Sequence, residues 1–446
     1  KMKKLYLTTI LAIVSLCVSA QRGGRSVECF DYDWQFHLTM EKGAEQQAGP
    51  KLQEAVSGWE TVQLPHDWSI HMIPDSRLTG CNGHLRGGVG EYKKTFLVPA
   101  SDKGKAVSVI FDGIYNRSDV YINGHHLGFR PYGFVQIEYD LTPYLNKGGD
   151  NVLAVRVDHS RYADSRWYTG SGIYRDVYLV SAPDMHLSQW GVAYRATKLT
   201  DRSATVEVDV AVDNFTGSPQ KVQTRITMLD AQGKQVASTT KNVTIEANTK
   251  NQQLPIATCQ LKNPHRWHLN DPYLYTLRVE LLADGKLIDQ TEVRAGLRTL
   301  EFDANKGFAL NGENMKVKGV CLHHDAGVLG SVVPNEVWRR RIESLKAMGA
   351  NAIRMSHNPH MPELYDLCDE MGFLAMDEAF DEWEGCKKAA SFWIDDKEHA
   401  VLLDDDNACD IPPAALVGER FSVSVTGLCN GYRITTNKIK VKQEVR

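Results

Sequence analysis

Alternating apolar and polar positions dominate the first part of the chain. Runs such as 107–111 and 152–157 place an apolar residue at nearly every second position, and Gly, Asn and Asp turns separate the runs. This period is typical of strands that bury one face. Asn123-Gly124 lies between two such runs and predicts a tight hairpin. The pattern over 27–182 therefore predicts an antiparallel β-sandwich.

A second alternating set follows, with its clearest strands at 204–212, 222–229 and 275–282. The segment that contains them has about 100 residues, the size of one immunoglobulin-like sandwich. We therefore expect a second β domain after the first.

The pattern then changes to alternating strands and helices. The predicted strands are 315–322, 351–356 and 373–376, and the predicted helices are 334–348 and 361–371. This β-α-β-α-β order opens either a doubly wound sheet or a (β/α)₈ barrel, and the pattern does not choose between them.

The beginning of the chain indicates export. Three lysines within residues 1–4 precede an apolar run at 5–18 and the small-residue end Val18-Ser19-Ala20. This arrangement predicts a cleaved signal peptide over 1–20 and a secreted, periplasmic protein. A transmembrane anchor is the alternative, but the run is shorter than the roughly 20 residues that a membrane span needs.

Composition excludes some classes of function. The 446 residues carry a formal net charge of −4 without a basic stripe, which disfavours nucleic-acid binding. Neither a P-loop nor a dinucleotide fingerprint is present, so we expect no cofactor. Cys321 and Cys368 lie in apolar surroundings, which predicts buried thiols.

Several motifs occur in a fixed order. They are Leu64-Pro65-His66-Asp67-Trp68, Asp119-Val120-Tyr121-Ile122-Asn123-Gly124, Ser165-Arg166-Trp167-Tyr168, Gly172-Ile173-Tyr174-Arg175-Asp176-Val177, His323-His324-Asp325, Arg354-Met355-Ser356-His357-Asn358-Pro359 and Asp377-Glu378-Ala379. This series resembles glycoside hydrolase family 2, most closely its bacterial, Bacteroides-type β-galactosidases. β-Glucuronidases and β-mannosidases share the architecture.

The resemblance implies a multidomain, mainly β protein. It assigns 21–183 to a jelly-roll sugar-binding domain, 184–299 to an immunoglobulin-like β-sandwich, and 300–388 to about three of the eight strands of a TIM barrel. The expected activity of the full-length parent is retaining hydrolysis of terminal β-galactosides, with an oligosaccharide as partner. A non-catalytic periplasmic carbohydrate-binding protein is the alternative, and a homo-oligomer stays open.

Arg354 and His357 end the second predicted barrel strand, where (β/α)₈ enzymes place functional groups. The resemblance implies that they bind the terminal sugar, together with the adjacent Asn358. The competing interpretations are a buried ion pair for Arg354 and a loop histidine that is satisfied by hydrogen bonds for His357.

His323, His324 and Asp325 end the first barrel strand in the same way. Three such groups could suggest a metal site, but adjacent strand side chains point to opposite faces. We therefore expect sugar hydrogen bonding rather than metal binding, with the two histidines diverging.

In the family, the loop that carries Asp164, Arg166 and Trp167 reaches toward the barrel mouth. The resemblance therefore implies a contribution to the sugar subsite, and the alternative is a structural edge of the sandwich. Asp377 and Glu378 are adjacent on a strand end and should diverge. We do not expect them to be the catalytic pair.

Retaining glycosidases need an acid/base and a nucleophilic carboxylate. The family places them after the fourth and seventh barrel strands, and this chain resembles the family through only about three. We therefore expect the chain to lack both residues and to be inactive. Residues 389–446 depart from the family and predict an unrelated β-rich tail with a Cys429-Asn430-Gly431 turn, from a gene fusion or an adhesive module.

Overall fold

The structure is a computed structural model. It describes residues 24–39, 58–160 apart from 77, 79 and 103, and 165–379, with the backbone alone for residue 81 and for seven short strands between 392 and 441. The predicted signal peptide and Asp164 lie outside the described residues. No helix within these ranges combines the length and apolarity needed to cross a membrane.

The first domain is a β-sandwich of two antiparallel sheets, with strand orders β1-β10-β5-β8 and β3-β2-β4-β9-β6-β7. Its core lies between the sheets and includes the fully buried Trp34, Tyr92 and Phe111. The strands are β1 Ser26–Cys29, β2 Trp34–Thr39, β3 Glu60–Val62, β4 Gly88–Phe96, β5 Ala106–Phe111, β6 Ser118–Ile122, β7 His125–Arg130, β8 Ile137–Asp140, β9 Asn151–His159 and β10 Val177–Ala182.

The predicted hairpin joins β6 and β7. Asn123 and Gly124 occupy its turn with positive φ angles of 50° and 82°. A two-residue turn of this hand matches the twist of the flanking strands and favours Asn-Gly. Asn123 also anchors the turn, because its Oδ1 accepts the backbone N–H of Val152 at 2.8 Å.

The second domain is a separate sandwich. One sheet has the order β11-β12-β15, with β16 also pairing β12, and the other has the order β14-β13-β17-β18. Its strands are β11 Met185–Leu199, β12 Ser203–Asn214, β13 Gln220–Leu229, β14 Gln235–Ile245, β15 Thr249–Gln253, β16 Ala257–Lys262, β17 Tyr275–Ala283 and β18 Lys286–Ala295. Leu277 and Val279 are fully buried in its core.

The third domain begins with a small antiparallel meander, β19 Leu300–Asp303, β20 Gly307–Leu310 and β21 Glu313–Asn314. A parallel sheet follows, in the order β22-β23-β24. Its elements are β22 Gly319–Leu322, α1 Asn335–Ala347, β23 Ala352–Met355, α2 Pro362–Met371 and β24 Leu374–Met376. Both predicted helices and all three predicted strands are present. The first strand begins at Gly319, four residues later than predicted, and the other elements are one or two residues shorter than predicted.

Both helices of this barrel segment pack on one side of its sheet. Trp338 and Ile342 of α1 and Leu364 of α2 are fully buried against Ile353 and Met355 of β23. Helix α2 ends at Gly372, whose φ of 68° and ψ of 61° are left-handed and suit glycine. The carboxyl ends of the strands lie against the first domain, since residues that follow each strand hydrogen-bond to it.

The first domain and the barrel segment meet at a buried contact that we call the seam. At its centre lies Asp67, which is 2% exposed. Its Oδ2 accepts hydrogen bonds from Tyr168 Oη at 2.6 Å and from the backbone N and Oγ of Ser331, each at 3.0 Å. Its Oδ1 accepts the backbone N–H groups of Ser69 and Ser171 at 3.1 and 3.0 Å. One carboxylate therefore joins the two domains.

Between residues 392 and 441 the structure describes the backbone of seven short strands. Phe421–Val423 pairs with Ile439–Val441, and Thr426–Cys429 pairs with Tyr432–Thr435, each antiparallel. The other described strands are Phe392–Ile394, Ala400–Asp404 and Asn407–Ile411. Asn430 and Gly431 of the predicted turn lie outside the described residues.

Candidate functional site

Three aromatic rings from two domains meet at the mouth of the barrel segment. Trp167 comes from the loop before β10, His323 follows β22, and His357 follows β23. The Trp167 and His323 rings are stacked, with centroids 5.1 Å apart and planes at 17°. His357 lies edge-on to both, with centroid distances of 5.4 Å to Trp167 and 5.5 Å to His323. We call these three residues the ring cluster.

Glu378 links the ring cluster to Arg354. Its Oε2 accepts a hydrogen bond from His357 Nδ1 at 2.7 Å, and its Oε1 accepts one from Arg354 Nε. The Glu378 side chain is 15% exposed, whereas that of Arg354 is 41% exposed. The carboxylate thus orients a histidine and an arginine, and part of the guanidinium still faces solvent.

The surroundings set the charge of these groups. Burial, aided by the neighbouring His357, lowers the pKa of His323 and keeps its imidazole neutral at neutral pH. The hydrogen bond to Glu378 raises the pKa of the Arg354 guanidinium. The site therefore offers a neutral His323 ring beside the ion pair of Arg354 and Glu378.

The two adjacent histidines diverge, as strand alternation predicts. His324 turns away from the ring cluster into the seam, where its Nε2 donates to the backbone oxygen of Thr169 at 2.9 Å. Its ring packs edge-on to Phe134, and complete burial lowers its pKa to about 3. The structure therefore separates His324 from the other predicted sugar ligands.

Asp325 and Asn358 have local contacts. The Asp325 carboxylate accepts the backbone N–H of Gly327 at 3.2 Å and so shapes the turn after β22. Asn358 is fully buried and donates from Nδ2 to the oxygen of Pro359 at 3.0 Å. The Asp325 carboxylate also acts on the ring cluster through its charge, which partly offsets the lowered pKa of His323.

The structure describes part of the first-domain loop that carries the predicted residues Asp164, Arg166 and Trp167. Trp167 is 7% exposed and belongs to the ring cluster, whereas Arg166 is exposed. Asp164 lies outside the described residues, so its predicted role stays a prediction.

Sequence reasoning left Glu378 out of the binding residues. Its neighbour Asp377 points the other way and accepts a hydrogen bond from Tyr365 Oη at 2.7 Å, and burial raises the pKa of Asp377. The divergence of the two acids agrees with the prediction. The position of Glu378 just after the third barrel strand was the signal that could have identified it.

Cys321 contradicts the prediction of a buried thiol. Its side chain is exposed, and its Sγ lies 3.7 Å from Arg354 Nη1 on the neighbouring strand. Cys321 and Arg354 are paired in register and face the barrel interior, whereas Cys368 on α2 is buried as expected. Among the described residues, no group of three or more His, Cys, Asp or Glu side chains has a geometry that could hold a metal ion.

Comparison with protein families agrees with this architecture. The model described as "Glycosyl hydrolases family 2, sugar binding domain" matches residues 27–183. "Glycosyl hydrolases family 2" matches 186–298, and "Glycosyl hydrolases family 2, TIM barrel domain" matches 303–408. The barrel match continues past residue 388, where the sequence pattern predicts the tail to begin.

Curated relatives include β-galactosidases and β-glucuronidases. The chain is 41% identical to β-galactosidase BoGH2A of Bacteroides ovatus, over 81% of this chain and 42% of that protein. It is 29% identical to a β-glucuronidase of Formosa agariphila, over 79% of this chain and 38% of that protein. The chain thus spans less than half the length of these relatives.

Solved structures show the same fold. A glycosyl hydrolase family 2 member from Bacteroides cellulosilyticus superposes with a TM-score of 0.73 at 36% identity, over 83% of this chain and 47% of that one. A β-glycosidase from Bacteroides vulgatus gives a TM-score of 0.71 at 37% identity, over 80% of this chain and 45% of that one. With a jelly-roll, an immunoglobulin-like sandwich and the first strands of a TIM barrel in this order, the chain belongs to glycoside hydrolase family 2.

Proposed function

We propose that the ring cluster, with Arg354 and Glu378, binds the terminal sugar of a β-galactoside. The longer protein to which these domains correspond would be a retaining β-galactosidase. The observation that carries the proposal is the convergence of Trp167, His323 and His357 on one barrel mouth. The 41% identity to a β-galactosidase supports the choice of substrate.

Sugar recognition needs what this mouth provides. A pyranose ring presents an apolar face of C–H groups and a rim of hydroxyls that donate and accept hydrogen bonds. The partly exposed His323 ring, which is stacked on the buried Trp167, supplies the aromatic wall, and the exposed part of Arg354 supplies donors. Glu378 fixes the Arg354 and His357 side chains, which reduces the entropy lost when a sugar binds.

The charge balance favours a neutral sugar over a glucuronide. A glucuronide carboxylate is best recognised by a cation that has no other counter-ion. Arg354 already donates to Glu378, so its charge is compensated within the site. We therefore propose a galactoside as ligand, and a glucuronide is the second candidate because family relatives include β-glucuronidases.

We also propose that this chain does not hydrolyse glycosides. Retention requires two carboxylates about 5 Å apart across the scissile bond. Glu378 is engaged by Arg354 and His357, and Asp377 points toward Tyr365 of α2. These two acids of the third strand therefore do not form such a pair.

The test is calorimetric titration of the chain with methyl β-galactoside and methyl β-glucuronide. Trp167→Ala should weaken galactoside binding about tenfold, because it removes the buried ring on which His323 is stacked. Trp59→Ala is the matched control, since Trp59 is 43% exposed on the first domain and stacks on His37, away from the barrel mouth. Tighter binding of the glucuronide would replace the galactoside proposal.

An assay of glycoside hydrolysis tests the proposal that the chain is inactive. The chain should leave a chromogenic β-galactoside intact, and hydrolysis that Glu378→Gln abolishes would contradict the proposal. Binding of oligosaccharides that survives Trp167→Ala would instead favour a separate glycan-binding function of the first domain.

We further propose export to the periplasm, supported by the basic and apolar composition of residues 1–20. N-terminal sequencing of the mature protein should begin at Gln21. Recovery of the uncleaved chain from the cytoplasm would contradict export.

A further inference from the structure

Each strand end of the barrel segment is hydrogen-bonded to the first domain. After β22, His324 donates to Thr169 O at 2.9 Å. After β23, Arg175 Nη2 donates to Pro359 O at 2.9 Å. After β24, Tyr132 Oη donates to Ala379 O at 2.6 Å. In each pair one partner is a backbone oxygen.

These contacts fall beside the residues of the proposed sugar site. His324 is the neighbour of His323, Pro359 lies two residues after His357, and Ala379 follows Glu378. A contact that served only adhesion between domains would not need to recur at every strand end. The recurrence therefore indicates that the first domain sets the backbone positions of the site.

Arg175 hydrogen-bonds both to the barrel segment and to its own domain. It is 6% exposed, and its Nη1 donates to two oxygens of its own domain, Phe134 O at 3.0 Å and Asp112 O at 3.3 Å. The guanidinium lies 4.9 Å from the ring of Tyr174. These contacts fix the plane of the Arg175 guanidinium, so that Nη2 points toward Pro359 O in a fixed direction.

Arg175 is 6% exposed to solvent, although it lines a cavity of about 290 Å³ at the seam. Removing its donors would leave the oxygens of Phe134, Asp112 and Pro359 without those hydrogen bonds. The backbone after β23 would then be free to shift, and His357 would shift with it.

We propose that Arg175 is a positioning residue that sets the His357 loop, with Tyr132 doing the same for Glu378. Together they hold the His357 to Glu378 hydrogen bond in register with Trp167. The importance of this geometry for sugar binding rests on the function proposed above, but the positioning itself does not.

The experiment uses the full chain with ¹⁵N-labelled histidine side chains and assigned ring signals. Arg175→Met removes the donors but keeps much of the side-chain volume, and it should shift the His357 signals and weaken methyl β-galactoside binding about tenfold. Arg175→Lys retains one cationic group that can donate. Its His357 signals and its affinity for methyl β-galactoside should lie between those of Arg175→Met and the wild type. Tyr132→Phe removes a single hydroxyl and should also shift the His357 signals, through Glu378.

Arg225→Met is the matched control, because Arg225 pairs with Glu280 on the surface of the second domain. Its ring signals should equal those of the wild type. If Arg175→Met does not fold, Tyr132→Phe decides.

The proposal is overturned if folded variants lower only the melting temperature and leave the His323 and His357 signals unchanged. If the wild type binds no galactoside but the variants still shift the His357 signals, the sugar proposal fails and positioning stands.

Discussion

The two sandwiches and the barrel segment differ in how they complete their packing. Leu277 and Val279 of the second domain are fully buried between sheets of the same domain. In the barrel segment, Ile353 and Met355 are buried on the helix side, but Cys321 and Met376, on the other side of the sheet, are exposed. The sandwiches therefore have closed cores, whereas the barrel segment has one packed face and gains further support at the seam.

This difference predicts where stability should be local and where it should be shared. A core substitution in a sandwich should weaken that domain alone. A substitution in the seam should weaken the barrel segment and the proposed sugar site together, because the seam contacts lie at the strand ends.

The largest effect is expected at Asp67. Asp67→Ala leaves donors of Ser69, Tyr168, Ser171 and Ser331 without their buried acceptor, which should cost about 4 kcal/mol. Hydrogen exchange should then accelerate in β22, β23 and α1 while β17 stays protected. Asp67→Asn, which keeps one acceptor, should show a smaller loss, and equal losses for both variants would argue against the hydrogen bonds as the cause.

A core substitution in the second domain should have the opposite pattern to Asp67→Ala, because it should affect the sandwich and leave the barrel segment unchanged. Leu277→Ala should destabilise that sandwich by about 3 kcal/mol through lost burial and an unfilled cavity. Exchange in β17 should accelerate, and the ring signals of His323 and His357 should stay in place. A matching loss of protection in β23 would show that the domains unfold as one unit.

The pH dependence of stability should reveal the buried acid Asp112, which lines a cavity of about 290 Å³ at the seam with Arg175 and Glu363. Burial raises the pKa of Asp112 from 3.8 to about 7. The folded state therefore binds a proton that the unfolded state releases, and this contribution to stability is lost as pH rises from about 4 to 7.

Asp112→Asn should remove that loss. The free energy of unfolding of the variant, relative to that of the wild type, should therefore increase as pH rises from about 4 to 7. The control Asp201→Asn alters an acid that is 81% exposed and should show no such trend. His66 and His324 have lowered pKa values, so their contributions to the pH dependence of stability have the opposite sign. These contributions are the same in each variant and in the wild type, and they cancel when the two are compared. A constant difference between Asp112→Asn and the wild type would contradict the assignment.

The smallest effect is expected at the β6–β7 hairpin. Gly124→Ala should destabilise the first domain by about 1 kcal/mol, because φ is 82° and a Cβ there meets no neighbour, so the cost is conformational. Gly58→Ala is the control, since Gly58 also meets no neighbour but has no such backbone constraint. The denaturant midpoint of Gly124→Ala should therefore be lower than that of Gly58→Ala.

The fold was largely predictable from the sequence because strand alternation and helix periodicity report burial directly. The pattern predicted the Asn123-Gly124 turn and the elements from β22 to β24. It did not predict the exposure of Cys321, because an apolar neighbourhood in sequence does not say which face of a sheet is covered.

Part of the spatial arrangement of the candidate site was predictable from the sequence. Arg354, His357, His323 and Trp167 converge, since strand ends and one loop bring them to the same mouth. His324 lies in the seam instead, because its strand position faces the first domain. Contacts between domains separated by more than one hundred residues leave no local signal in a sequence.

The most direct measurement is a titration of methyl β-galactoside into the full chain with labelled histidine rings. If the ring cluster binds the sugar, the His323 and His357 signals should shift saturably, while the signal of His324, buried in the seam, should stay in place. Unchanged His323 and His357 signals at saturating sugar, or a shift of His324 alone, would contradict a sugar site at the ring cluster.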